Sequence, residues 1–278
     1  PVPPGDGQQF GDGGVVEGRV VATPSAAFAA VAGDFDAWTG TALTPDQGFA
    51  WALVPDAPSG YKLVDGALYV ADPWARAYTY DAFGELSFTA APPAQHLQRW
   101  PAIAGFGLGP RTGRVLVPAE PATRVLYAHD GQNLFDPEAI WGGWRLMDTA
   151  PPGTLIVGID NTAARMEEYT FIADDLGSGP IGGQAGAYAH LIQQGGRPLV
   201  RERYGEAGVV GTMGSSLGGL VSFHLALRHP GDYDFVASLS GTMGWGSIGP
   251  HVETMIERYA AAGHQPFVVS LDSGGGGD

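Results

Sequence analysis

The sequence predicts two domains, a small all-β sandwich followed by an open α/β sheet whose strands are mostly parallel. Three observations predict this. The chain has 278 residues, 44% of them hydrophobic, which suits one large domain or two ordinary ones. Short apolar runs broken by Gly, Pro and Asp fill its first third, whereas longer apolar runs alternate with helical stretches afterwards. Three prolines lie between the two patterns.

The composition narrows the class of partner. The formal net charge is −15, with only 14 Lys and Arg, so a nucleic-acid backbone or an anionic membrane surface would be repelled. No apolar run approaches the roughly 20 residues that span a bilayer. The sequence contains no cysteine, which excludes disulfides and thiolate metal sites. We therefore expect no nucleic-acid partner and no membrane insertion.

Residues 1–14, "PVPPGDGQQFGDGG", are rich in proline, glycine and polar groups and predict a linker. The sequence begins with proline rather than methionine. Together with the acidic composition, this leads us to expect a secreted or periplasmic protein, with the cytoplasm as the alternative.

Residues 15–90 predict the sandwich, because short apolar runs recur at about ten-residue spacing and no helix-length segment interrupts them. Residues 91–101, "APPAQHLQRWP", then predict an interdomain linker.

Residues 102–278 predict the α/β domain. Continuous apolar runs indicate strands buried on both faces, and the helical stretches at 185–205 and 217–230 lie between some of them. The five predicted strands are 124–130, 153–160, 207–213, 235–241 and 266–272.

Ser216 is the predicted nucleophile. Gly214-Ser215-Ser216-Leu217-Gly218 fits the pattern G-x-S-x-G between a buried strand and a helix, where a sharp turn needs small neighbours. Ser215 lacks glycines at both required offsets. The alternative is a glycine-rich turn in which the serine caps the helix, or a phosphate-binding turn. Phosphate binding is disfavoured because the chain is acidic and no Walker lysine is present.

Two backbone N–H groups are predicted to stabilise an oxyanion. Leu217 would offer one at the start of its helix, where the helix dipole favours negative charge. The loop after residues 124–130 would offer the other, from Gly131 or Gln132. His129, at the end of that strand, is interpreted as a structural residue, since buried histidines usually have fixed hydrogen-bond partners.

Several ordered motifs together resemble the putative-esterase family of α/β hydrolases, which includes enterochelin esterases, esterase D and feruloyl esterases. They cover roughly residues 100–278: "VLYAHDGQNLFDP", "WRLMDT", "LIVGIDN", "RMEEYT", "GTMGSSLGGLVSFHLALRHP" and "ASLSGTMGWG". The resemblance implies an α/β-hydrolase fold and a serine carboxylesterase that needs no cofactor and no metal. A small-molecule or polymeric ester is the expected substrate.

The resemblance also assigns further residues. It implies that Trp245 lies against the acyl or aromatic group of the substrate, with Trp141 and Trp144 as another wall or as scaffold. Arg165 and Glu168 match the R-x-x-E-Y pattern of the family and are interpreted as an ion pair beside the cleft.

The amino-terminal part resembles the immunoglobulin-like domain that precedes the hydrolase in enterochelin esterases, which is similar to glycogen-binding modules. The segments "AGDFDAW", "GYKLVDG" and "ADPWARAYTYDAFGE" carry this likeness. Trp38 or Trp51 would then grip a sugar, although packing in the sandwich core is the favoured interpretation.

The remaining members of a catalytic triad are harder to place. In this fold the chain order is Ser, acid, His. The family pattern favours Asp278 as the acid over Asp272, which ends a predicted strand. No histidine matches the base, so we expect it beyond residue 278, with His251 as a substitute and a non-catalytic protein as the third possibility.

Two functional alternatives therefore accompany the esterase hypothesis. One is a weakly active or inactive relative that binds a carbohydrate or a siderophore, and the other is an acyltransferase on the same scaffold. A polyanionic siderophore substrate is disfavoured by the acidic composition. The sequence does not determine the oligomeric state.

Overall fold

The computed structural model describes residues 9–10, 14–15, 18–24, 28–248 and 253–273. The chain forms two compact units, residues 1–99 and 100–278. No helix in the described part of the chain is long and apolar enough to cross a membrane.

The amino-terminal unit is built from strands. Its described residues contain one short 3-10 helix, Asp34–Asp36. The strands are β1 (Gln9–Phe10), β2 (Gly14–Val15), β3 (Arg19–Thr23), β4 (Ala30–Gly33), β5 (Thr41–Ala42), β6 (Thr44–Asp46), β7 (Phe49–Val54), β8 (Gly60–Asp65), β9 (Leu68–Val70), β10 (Ala77–Asp81) and β11 (Gly84–Phe88).

Two antiparallel arrays share one apolar core in this unit. One has the order β10-β11-β8-β4-β5 and the other β3-β7-β6. Strand β7 alternates half-buried and buried residues, as a strand with one covered face should. The core draws on both arrays: Val21, Val31, Leu43, Ala50, Ala52, Val54, Tyr61 and Leu63. The predicted all-β unit is therefore present.

The predicted linker at 91–101 is wrong in its second half. Residues His96–Gly105 form strand β12, which crosses the boundary between the units. Pro101 lies within this strand with its side chain exposed, and Ala102 beside it has a positive φ of 59°. An irregular strand can accommodate a residue that donates no hydrogen bond, so Pro101 did not mark a break, whereas Pro92 and Pro93 lie in the irregular segment before the strand.

The carboxy-terminal unit is an α/β sheet. After β12 come β13 (Leu108–Val117), β14 (Arg124–His129), β15 (Thr154–Ile159), the hairpin β16 (Ala173–Asp175) and β17 (Pro180–Gly182), then β18 (Val209–Ser215), β19 (Phe235–Leu239) and β20 (Val268–Asp272). Its helices are α1 (Leu146–Thr149), α2 (Arg165–Tyr169), α3 (Ala185–His190), a π-helical turn (Leu191–Gly196), α4 (Arg197–Tyr204), α5 (Leu217–Arg228) and α6 (Met255–Ala261).

The sheet runs in the order β13-β15-β14-β18-β19-β20, with β13 antiparallel to β15 and the other neighbours parallel. The five predicted strands thus exist, and β14, β15 and β19 are largely buried. Strand β20 differs from the prediction of burial on both faces, because Val268 and Leu271 are about two-thirds exposed, at 67% and 66%. The parallel order brings the carboxyl ends of these strands to one edge of the sheet.

Candidate active site

Ser216 stands alone between β18 and α5 in a strained backbone conformation. Its φ is 55° and its ψ is −121°, which is uncommon for a residue with a side chain. Its N–H donates to Leu239 O at 3.0 Å, and its carbonyl accepts from Leu220 N at 3.2 Å. The Ser216 side chain is exposed, whereas Ser215 is half-buried in the strand. The turn therefore presents one serine hydroxyl to solvent at the carboxyl edge of the sheet.

Glycines make this turn possible. A Cβ atom on Gly214 would lie 2.7 Å from the Cα of Gly218 and even closer to its carbonyl group. A Cβ atom on Gly218 would lie 3.3 Å from Asp130 Oδ2 and 3.4 Å from the Cβ of His129. The turn is thus packed against itself and against the loop that follows β14.

A threonine that was not among the residues predicted from the sequence contacts the hydroxyl of Ser216. Thr242 Oγ1 lies 3.2 Å from Ser216 Oγ, and Thr242 N donates to Ser216 O at 3.2 Å. Thr242 belongs to the segment after β19, at the same edge of the sheet. Its place in the motif "SGTMGWG" was the available signal.

The predicted oxyanion donors lie around the same turn. Leu217 is the first residue of α5, so its N–H has no acceptor within the helix. Gly131 and Gln132 open a 3-10 turn one residue after the end of β14. Gly131 is buried, and Gln132 Oε1 accepts a hydrogen bond from Asn161 N at 3.2 Å. Because Gly218 lies against residues 129 and 130, the two predicted donor segments are neighbours.

An ion pair holds the loop after β14. Arg165 Nε and Nη2 donate to the two carboxylate oxygens of Asp130 at 2.7 and 2.8 Å. Asn161 Nδ2 donates to Asp130 Oδ1 at 2.6 Å. The hydrogen bonds that Arg165 donates to the Asp130 carboxylate raise the pKa of the guanidinium, which stays charged. Asp130 and Asn161 were not found from the sequence, since their role depends on a partner far away in the chain.

The predicted pairing of Arg165 with Glu168 is wrong. Glu168 accepts two hydrogen bonds from Arg111 instead, at 2.6 and 2.9 Å, and both side chains are buried. The two members of the R-x-x-E pattern therefore have different partners, although both lie on α2. Residues three apart on a helix can meet, but each here has a better-placed partner on another segment.

The three predicted pocket tryptophans differ in environment. Trp245 is 5% exposed within the core, and its Nε1 donates to Ile172 O at 2.8 Å, so its contact with substrate stays a prediction. Trp141 is 95% exposed. Trp144 is half-buried, and its backbone N–H donates to Asn133 O at 2.9 Å, which places it beside the loop that contains Gly131 and Gln132.

His129 occupies a buried polar cluster behind the loop. Its Nδ1 lies 2.9 Å from Tyr188 Oη and its Nε2 lies 3.3 Å from Thr212 Oγ1. Burial lowers its pKa to about 4, so the ring is neutral near pH 7. With both nitrogens engaged in the core, this ring is a structural group, in agreement with its interpretation from the sequence.

Other described histidines lie away from Ser216. His224 is buried within α5 with its ring parallel to that of Phe171. His229 follows the last residue of α5, and His190 contacts Arg228 at that same end. A helix of 12 residues is about 18 Å long, so these two are far from its amino-terminal serine.

The remaining three histidines are His96, His251 and His264. His264 precedes β20 and therefore lies toward the opposite edge of the parallel sheet from Ser216. The ring of His96 contacts Ala94 O and Gln98 in β12. His251 lies outside the described residues. Among the described histidines, none is hydrogen-bonded to Ser216.

Of the two candidate acids, only Asp272 lies within the described residues. Asp278 lies outside the described residues. Asp272 ends β20, its side chain is exposed, and its carbonyl accepts from Ser240 N at 2.6 Å. Asp272 thus takes part in the turn backbone at the edge of the sheet where Ser216 lies. Within the described residues, no three His, Asp or Glu side chains are placed to hold a metal ion.

Comparison with known proteins gives one family match. Residues 109–268, more than half of the chain, match the family described as Putative esterase. A comparison with curated protein sequences gives no match.

Solved structures of three hydrolases are similar to this chain. Enterochelin esterase from Shigella flexneri is 14% identical, covers 96% of this chain and 81% of its own, and gives a TM-score of 0.47. An IroE-like serine hydrolase from Shewanella oneidensis is 24% identical over 60% of this chain and 54% of its own, with a TM-score of 0.46. Siderophore hydrolase EstB from Aspergillus nidulans is 21% identical over 57% and 61%, with a TM-score of 0.42. All three scores lie below 0.5, so the assignment rests on the family match.

Proposed function

The chain belongs to the Putative esterase family and is an ester hydrolase, and we propose that it cleaves carboxylic esters through an acyl-enzyme formed on Ser216. One observation carries the proposal. Ser216 is exposed, with positive φ, as the single residue between an interior parallel strand of the sheet and a helix. This is the geometry that a nucleophile elbow requires.

The chemistry follows from the surrounding groups. Ser216 Oγ attacks the ester carbonyl while a general base takes its proton, and the carbonyl oxygen becomes an oxyanion. The N–H of Leu217 and an N–H of the Gly131–Gln132 loop stabilise that charge. Collapse of the tetrahedral intermediate expels the alcohol, and water then attacks the acyl-enzyme to release the acid and restore the serine. His129 and His224 are buried in the core, and His190 and His229 lie far from the turn, so none of these four is placed to be the base.

Labelling with a fluorophosphonate tests this proposal in the full-length protein. The expected result is one phosphonyl group on Ser216, with labelling and p-nitrophenyl ester hydrolysis abolished by Ser216→Ala. Ser215→Ala is the matched control, because the neighbouring hydroxyl is half-buried, and it should keep most of both signals. Ester hydrolysis that survives Ser216→Ala would overturn the proposal. Labelling without hydrolysis, together with acyl transfer to an added alcohol, would indicate an acyltransferase.

The proposed substrate is a neutral small-molecule or polymeric ester. The chain has a net charge of −15, which raises the energy of a polyanionic substrate approaching the protein. The expected result is that esters of neutral acids are hydrolysed faster than matched esters bearing extra carboxylates, most clearly at low salt, where charge is least screened. If the ratio of the two hydrolysis rates were the same at low and at high salt, the charge of the protein would not explain the substrate preference.

We also propose that the amino-terminal unit is an immunoglobulin-like sandwich that binds carbohydrate. A groove of about 550 Å³ is lined by Trp38, Tyr69, Phe83, Lys62 and Asp81, all within this unit. Trp38 is only half-buried there and lies outside the core cluster, which supports the ligand-binding interpretation over core packing. Secretion or a periplasmic location remains a prediction.

Affinity electrophoresis in gels containing glycogen tests this second role. The intact protein should migrate more slowly in such gels, and Trp38→Ala should abolish the retardation. Trp74→Ala is the control, since this tryptophan is 39% exposed in the same unit and does not line the groove. An unretarded wild-type protein would exclude glycogen as the ligand.

A further inference from the structure

Arg165 connects the two segments that carry the proposed oxyanion donors. Its guanidinium holds both carboxylate oxygens of Asp130, the residue before Gly131. The same guanidinium donates from Nη2 to Ser215 O at 3.4 Å, the carbonyl of the residue before the nucleophile. One side chain therefore contacts the loop on one side and the elbow on the other.

The conformation of Asp130 makes this contact significant. Its φ and ψ are 60° and 48°, in the left-handed region, and the 3-10 turn at Gly131–Asn133 begins directly after it. Its N–H donates to Tyr169 Oη at 3.2 Å, and Asn161 holds its carboxylate from another side. Because these contacts fix both the main chain and the side chain, the direction of the next N–H groups depends on the position of the Asp130 carboxylate.

Gly131 has little room to adjust by itself. A Cβ atom at this position would lie 2.7 Å from Asp160 Oδ1 and 2.8 Å from the carbonyl carbon of Gly158. The turn is pressed against the end of β15 on one side. A change in its orientation would therefore come through Asp130, whose carboxylate Arg165 holds.

We propose that Arg165 is a positioning residue that sets the separation between the Gly131–Gln132 N–H groups and the Leu217 N–H. This inference rests on the proposed function. Fixed donors stabilise a developing oxyanion only where their spacing matches it, and an error of about 1 Å in placement can cost on the order of 100-fold in rate. Arg165 acts through Asp130 and Ser215 and need not touch the substrate.

The helix α2 supplies a matched control. Glu168 lies on the same helix and pairs with Arg111, which bonds to Gly109 O and has no recorded bond to the loop or the elbow among the described residues. Weakening that pair tests whether general loosening of the helix is enough to disturb catalysis. Weakening Arg165 tests the bridge itself.

The experiment compares Arg165→Met, Arg165→Lys and Arg111→Lys in the full-length protein. Each variant is assayed with an oxygen ester and with the matching thionoester, whose carbonyl sulfur is a poor acceptor for oxyanion donors. For Arg165→Met, kcat for the oxygen ester should fall about 10- to 100-fold, with KM changed less, since the lost alignment matters in the transition state. The preference for the oxygen ester over the thionoester should fall by a similar factor.

Arg165→Lys should lie between the wild type and Arg165→Met, because a lysine keeps the charge but cannot make the bidentate contact. Arg111→Lys should lower Tm and leave the oxygen-to-sulfur preference unchanged. If Arg165→Lys and Arg165→Met kept the wild-type preference for the oxygen ester over the thionoester, the inference would be overturned. If Arg165→Met does not fold, the result for Arg165→Lys decides. Hydrolysis that persists in Ser216→Ala would instead count against the proposed function.

Discussion

Replacing Gly214 with alanine tests whether the turn at Ser216 depends on close backbone packing. The new Cβ atom would lie 2.7 Å from Gly218 Cα, where ordinary van der Waals contact begins at 3.4 Å. Because the carbonyl group of Gly218 would lie closer still, the segments must separate by at least about 0.7 Å. All the obstructing atoms belong to the backbone at the start of α5, so no side chain can rotate away.

The magnitude follows from this displacement. Overpacking of this kind costs about 1–3 kcal/mol, which corresponds to a Tm lower by roughly 2–12 °C for a domain of this size. The same displacement moves Leu217 N–H relative to Ser216, so the rate of fluorophosphonate labelling should fall about 10- to 100-fold.

Thermal unfolding and the labelling rate measure the two effects in one preparation. Gly186→Ala is the control, because a Cβ atom there meets only Arg228 Nη1 at 3.8 Å, and alanine within a helix should stabilise by about 0.5–1 kcal/mol. If Gly214→Ala kept the wild-type Tm and labelling rate, the close contact with Gly218 would not be what shapes the turn.

Three further predictions concern polar groups. Burial lowers the pKa of His224 to about 3, so between about pH 6.5 and 3 the unfolded state binds a proton that the folded state does not. The free energy of unfolding should therefore fall as the pH falls through that range. Urea titrations should show a weaker pH dependence of this free energy for His224→Phe, and an unchanged pH dependence would contradict the prediction. Thr242→Val removes a hydroxyl 3.2 Å from Ser216 Oγ and should change the labelling rate about 2- to 10-fold, whereas an unchanged rate would show that this hydroxyl does not affect the nucleophile. Arg111→Met strands the buried Glu168 carboxylate and should cost about 3–5 kcal/mol by urea unfolding, while adding Glu168→Leu should recover most of it; a double variant as unstable as the single one would refute the ion-pair explanation.

Much of the catalytic turn could be predicted from the sequence because it is local. The apolar run before Ser216, the glycines beside it and the helix after it are consecutive in the chain, and their structure follows from residue size and backbone freedom. The strand that ends at His129 was predicted for the same reason. Its neighbours in the sheet were not, since hydrogen bonds between strands join residues far apart in sequence.

Partner choice could not be predicted in this way. The R-x-x-E pattern suggested that Arg165 and Glu168 pair, yet Asp130 and Arg111 occupy the nearer positions. Trp245 was expected at the substrate, but its indole is bonded to Ile172 O inside the core. Both contacts depend on which way a long side chain turns, and that depends on segments brought close only by folding.

By itself the sequence determined that this chain has an all-β unit before an α/β unit, and that Ser216 occupies a strand-to-helix turn. Periodicity and glycine placement are sufficient for these features, because they depend on neighbours along the chain. Only the tertiary structure decided that Arg165 joins Asp130 to the carbonyl of Ser215 and that Thr242 reaches the Ser216 hydroxyl. Those contacts exist because parallel strands collect their carboxyl ends at one edge of the sheet, where residues distant in sequence become neighbours.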